Sequence, residues 1–180
     1  MKNSSYFILF ILLIWSCENK PSLQNYFVKN SESSNFVTVD VPNTIINTSK
    51  TKMSLTDKAA LQSFEKMNIL TYQTDLSKIE NYEKEVAEVK TLLKDKTYQE
   101  LMKIGSGASQ AAVFFVGEEQ NIDEFVFFAS KKENGFAVVR VLGNNMNPTH
   151  VMNILQLVQK SEFDAKQLEP LRELLGNNSN

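Results

Sequence analysis

An apolar run, Phe7 to Trp15 (FILFILLIW), stands near the start of the chain behind Lys2 and gives way at Ser16-Cys17 to the polar stretch ENKPSLQN. Its nine residues are about half of the roughly 20 that a helix needs to cross a bilayer, so it reads as the core of an export signal with Lys2 as its positive flank. ENKPSLQN, with Pro21 and no apolar period, reads as a flexible tether. Period-two alternation begins in FVTVDV, Phe36 to Val41, and is closed by Pro42-Asn43, which predicts a first strand. Thr44 to Lys50 reads as a short helix or turn. In MSLTDKAALQSFEKM, Ser54 or Thr56 offers an N-cap, and Leu61, Phe64 and Met67 share one helical stripe. NILTYQTD, Asn68 to Asp75, alternates again and predicts a second strand.

Ile79, Tyr82, Val86, Val89 and Leu93, spaced by three and four, predict a longer helix capped by Ser77, with Glu80 and Lys84 paired on its wet side. Three apolar runs follow: Ala111 to Glu118, Ile122 to Ser130 and Gly135 to Gly143. The short links EEQN and KKENG make them consecutive antiparallel hairpins, with Tyr98 to Ile104 as a strand leading in. NPTHVMNILQLVQKS predicts a last helix with Val151, Ile154, Leu155 and Val158 on one face and Thr149 as its cap. Leu168, Leu171, Leu174 and Leu175 mark an amphipathic extension before the terminal NNSN, with Pro170 at its first turn or at a kink.

The elements predict an α+β fold: a mainly antiparallel sheet, made of the C-terminal meander and the N-terminal strands, packed with helices. Its expected limits are residues 35–161, after a leader over 1–16 and a lipidated tether over 17–34, and before an extension over 162–180. In the middle run Phe125, Phe127 and Ala129 point one way and Val126 and Phe128 the other. A sheet with one wet face would alternate more cleanly, so both faces need a cover of helices, ligand or another subunit. Phe114, Phe115, Phe127 and Phe128 are the candidate lining of an apolar groove or interface. Arg140, inside an apolar strand, must lie at an edge or pair with a carboxylate.

Charge and composition narrow the function classes. A formal net charge of −2 over 180 residues supplies no basic surface for nucleic acid. One cysteine and one histidine exclude an intramolecular disulfide and the usual zinc ligand sets. That cysteine follows Ile14-Trp15-Ser16, an order that resembles a lipobox apart from Trp15. Cleavage before Cys17 and acylation there would anchor the chain in a membrane. Glu18 in place of the aspartate linked to inner-membrane retention points to the outer membrane.

The candidate chemistry is thin. His150 is the one imidazole and needs a partner that its neighbours in sequence do not supply. Glu118, Glu119, Asp123 and Glu124 flank a hairpin turn without the spacing of a calcium loop. GSGAS, Gly105 to Ser109, lacks the Lys-Ser/Thr of a phosphate-binding loop and reads as a flexible loop before the sheet. No catalytic constellation, metal site or cofactor site is expected.

FVTVDVPN, FEKMNILTYQTD, YQELMKI and FAVVRVLGNNMNPTHVMNIL, in this order and behind a lipobox, resemble the domain of unknown function 4252 family of small Bacteroidota lipoproteins, over about residues 25 to 160. The resemblance carries over no catalytic residues and implies a lipid-anchored envelope protein with a link to envelope regulation. The expected function is non-catalytic: protein contact at the bacterial envelope, with an unidentified envelope partner or a second copy. A lipid- or small-apolar-ligand-binding module is the alternative, and an enzyme the third reading.

Overall fold

The alternating segments pair into a single antiparallel sheet. A computed structural model describes residues 20–45 and 53–160. Its strands are β1 (Phe36–Pro42), β2 (Phe64–Gln73), β3 (Gln99–Ser106), β4 (Ser109–Glu118), β5 (Asn121–Lys131) and β6 (Gly135–Met146). They lie side by side in the order β1-β2-β6-β5-β4-β3, so β1 and β3 are the edges. The helices are α1 (Leu23–Asn30), α2 (Leu55–Ser63), α3 (Ile79–Leu92) and α4 (Pro148–Lys160). The predicted α+β class is the observed one, and the meander runs as β3 to β6.

Strand alternation divides the sheet into two faces. On the front, Val39, Ile69, Val139, Phe127, Val113 and Met102 stand in one row across all strands. One row along on the back stand Thr38, Leu70, Val138, Phe128, Ala112 and Lys103. The front core joins Phe64, Met67, Ile69, Phe125 and Val141 to Ala60 of α2 and to Val151, Ile154 and Leu157 of α4. The back core joins Leu70, Val126, Phe128, Phe136 and Val138 to Leu23, Tyr26 and Phe27 of α1 and to Tyr82, Val86, Val89 and Leu92 of α3. Helices therefore cover both faces. Among the described residues the two cores run from Leu23 to Leu157.

Three boundaries differ from the sequence expectation. First, α1 occupies part of the expected tether: Ser22 caps it by accepting from the Asn25 amide, and Leu23, Tyr26, Phe27 and Asn30 are buried at helical spacing. Second, α2 stops at Ser63 and β2 begins at Phe64, four residues before Asn68. Phe64 and Met67 share the front core because a register shift between Phe64 and Lys66 turns both side chains to one face. A spacing of three thus imitates a helix across a bulge. Third, Asp75 rather than Ser77 closes the turn before α3, accepting from the Ser77 amide at 2.9 Å and its hydroxyl at 2.6 Å.

Caps explain the other helix starts. Ser54 and Asp57 form a reciprocal capping box on α2. Asn147, not Thr149, caps α4: its side-chain oxygen accepts from the His150 amide at 2.8 Å, with Pro148 as the first helical residue. Of Thr44 to Lys50, Asn43–Ile45 begins as a 3-10 turn; residues 46–52 lie outside the described part. So do the leader with Cys17 and the extension over 162–180.

Candidate functional site

Neighbouring strand residues point to opposite faces, and this separates the four candidate phenylalanines. Phe115 is buried and Phe127 half-buried on the front, while Phe128 is buried and Phe114 half-buried on the back. They cannot line one groove. Phe114 and Phe128 do share a concave back surface; Phe115 and Phe127 do not reach it.

That surface is a trough between the C-terminal half of α3 and the β3–β4 hairpin. Its volume is about 440 Å³, and Lys90, Leu93, Lys94, Tyr98, Glu100, Lys103, Gln110, Ala112, Phe114 and Phe128 line it. Register explains the hollow: small Ala112 stands between Lys103 on β3 and Phe128 on β5. Lys90 follows Val86 by four residues and precedes Leu93 by three, so it flanks the buried stripe of α3 and leans over the sheet. Among the described residues Lys29, Lys78, Lys132 and Arg140 pair with carboxylates, and Lys90, Lys94 and Lys103 do not. Burial holds the Lys90 ammonium below the ordinary lysine range, and repulsion from Lys103 and Lys94 adds to the shift. Beside it, burial and then the Glu124 charge push the Tyr98 hydroxyl up to about 12, against the pull of Arg140. A second cavity of about 410 Å³ shares Lys90 and Gln110 and continues along α3 past Val86, Ala87 and Lys132.

The predicted chemistry does not converge. Ser63 donates to the Ala60 carbonyl at 2.8 Å and lies 3.2 Å from His150 Nδ1, where the imidazole tautomer sets which atom donates. Glu118, Glu119 and Asp123 are exposed, and Glu124 is buried beneath α1 on the back, across the sheet from His150. GSGAS is the tip of the β3–β4 hairpin, with Ser106 opposite Ser109 and Gly107 at φ +67 at the turn, where L side chains are strained. Among the described residues no three His, Cys, Asp or Glu side chains cluster as metal ligands. No helix of the described residues is long and apolar enough to cross a membrane.

Arg140 sits in β6, inside the sheet, and takes the second of its two predicted fates. Its Nε donates to Glu124 Oε1 at 2.6 Å and its Nη2 to Glu124 Oε2 at 3.0 Å. Its Nη1 donates to Gln24, and its guanidinium carbon lies 5.5 Å from the Phe27 ring centroid. The hydrogen bond to Gln24 and the cation–π contact with Phe27 clamp α1 onto the sheet, while the ion pair joins β5 to β6.

The remaining feature is the β3 edge. All eight of its residues are exposed, and Leu101, Met102 and Ile104 are exposed by 52%, 49% and 58%. They continue the front row beyond half-buried Val113 and Phe127, past the part that α2 and α4 cover.

Compared with known proteins, residues 26–154 match the family model described as domain of unknown function (DUF4252), in agreement with the resemblance carried by FVTVDVPN and FAVVRVLGNNMNPTHVMNIL. No curated protein and no solved structure matches the chain.

Proposed function

We propose that this chain, which belongs to the domain of unknown function 4252 family, is a non-catalytic envelope lipoprotein that acts through protein contacts at the edge of its sheet. The observation that supports it is β3, a fully exposed edge strand carrying Leu101, Met102 and Ile104. Edge strands are normally guarded; here two charges, Glu100 and Lys103, and one register shift, between Glu100 and Met102, are the guards. A partner that adds a strand to β3 would gain main-chain hydrogen bonds and cover the three apolar side chains. Its place in an envelope regulatory module belongs to the same reading.

Photo-crosslinking in the native envelope tests the contact. A crosslinker at Ile104 should capture a defined adduct, one at Thr91 on exposed α3 should not, and Met102→Lys with Ile104→Lys should abolish capture. An adduct at twice the chain mass would identify a second copy, and another mass a different envelope protein. Absence of adducts at Ile104, or equal capture at Thr91, would overturn the assignment of β3.

Cys17 is the proposed anchor, at the outer membrane. Cys17→Ser is expected to lose radiolabelled palmitate and to leave the membrane fraction. Unchanged fractionation would refute it.

A further inference from the structure

We infer that the trough between α3 and the β3–β4 hairpin binds a single-chain anionic lipid, its head held by Lys90, Lys94 and Lys103 and its chain laid over Ala112, Phe114 and Phe128. The site is separate from the front-side apolar strip of β3 and goes beyond the contact reading.

Two properties meet here. The rim carries three cations against one carboxylate, Glu100, and none of the three has an acidic partner. Like charges gathered beside low-dielectric walls raise the local potential and favour an incoming anion. The floor is apolar: Leu93, Ala112 and Phe128 are buried, and half-buried Phe114 keeps part of its ring open to the trough. An inorganic anion would leave that floor wet, and a neutral alkyl chain would leave the lysines without a partner. A carboxylate or phosphate head with one alkyl chain satisfies both.

Shape points the same way. A second cavity, which shares Lys90 and Gln110 with the trough, lies beside it along α3. The depression over Ala112 exists because a one-carbon side chain stands where its neighbours on β5 and β6 are Phe128 and Val138. A larger residue there would fill it.

Titration calorimetry on the full chain tests the site, with ligands kept below their micelle concentrations. Decyl phosphate and decanoate carry the two head chemistries; decyl maltoside is the neutral chain and inorganic phosphate the bare head. One anionic ligand is expected to bind per chain, with both controls at least about tenfold weaker. Lys103→Glu is expected to weaken the anionic ligand about tenfold or more, and Lys90→Gln about fivefold. Ala112→Leu should weaken it by obstruction. Because Lys103 is exposed, the Lys103→Glu chain should melt with the parent, so a loss of binding there is not a loss of fold. Phosphate over decanoate would assign a phospholipid-type head, and the reverse a fatty acid. Equal binding of decyl maltoside, unchanged affinity in both lysine variants, or no saturable binding of either anionic ligand would overturn the site.

Discussion

Arg140→Met is expected to cost about 3–5 kcal/mol of folding stability, because it leaves the Glu124 carboxylate buried without its bidentate partner. Side chains on both sides of this pair are nearly enclosed, 6% exposed for Arg140 and 12% for Glu124, so water cannot replace the lost contacts. For a body of this size the loss corresponds to a fall in melting temperature on the order of 10–20 °C. The double variant Arg140→Met with Glu124→Leu should recover most of the deficit, since an apolar pair of similar volume carries no stranded charge. The pattern of loss is specific as well. Gln24 and Phe27 tie α1 to the same guanidinium, so amides of α1 should exchange faster in the single variant while those of α3 change less. Thermal melts of the two variants, with hydrogen exchange on the single one, check this. A single variant as stable as the parent would show that the pair does not hold the fold.

Phe136→Ala is expected to cost a further class of energy, about 3–5 kcal/mol of lost transfer and cavity terms. Phe136 is fully enclosed and joins four elements of the back core. Its ring stacks on Tyr72 of β2 at 5.3 Å and 9°. It also meets Phe36 of β1 at 6.2 Å, Phe128 of β5 at 6.4 Å and Tyr82 of α3 at 6.5 Å. Edge and stacked contacts of this kind add to the area term, so Phe136→Leu, which refills most of the volume, should still lose about 1–2 kcal/mol. Denaturant unfolding distinguishes the two: the midpoint should fall for both, further for alanine, with the slope unchanged. Equal midpoints for leucine and alanine would mean that the site collapses freely and that Phe136 is no hub.

The sheet is legible because FVTVDV alternates with period two and the three later runs, Ala111 to Glu118, Ile122 to Ser130 and Gly135 to Gly143, are apolar throughout. The short polar links EEQN and KKENG between those three runs leave antiparallel pairing as the natural order. The stripe of α3 was equally plain, and Leu92 simply joins it at one side. What escaped notice depends on fewer residues. α1 offers only two turns, and Leu23, Tyr26 and Phe27 are interleaved with Gln24, Asn25 and Lys29, so a polar composition hid an apolar spacing. The start of β2 was masked by a bulge that gives Phe64 and Met67 a helical interval.

The interaction surfaces were harder still. That Phe114 and Phe115 must face opposite ways follows from the strand period alone and was available in the sequence. The three trough lysines were not, because Lys90 and Lys94 stand on a helix and Lys103 on a strand, and only the packing of α3 against the β3–β4 hairpin brings them together. Arg140 was visible as an anomaly, yet the identity of its partners required the register of β5 with β6 and the docking of α1.

The position at which α1 begins also sets a reach. If Cys17 is the attachment point proposed above, five residue steps separate the lipid from the capping Ser22, a leash of at most about 18 Å. A tether running to residue 34 would have allowed about 60 Å. A body so anchored would stay close to the bilayer surface. Such a leash would join α1, in the back helical layer that also borders the α3 trough, so a Cys17 anchor would keep the back of the sheet, rather than the β3 front strip, nearer the membrane.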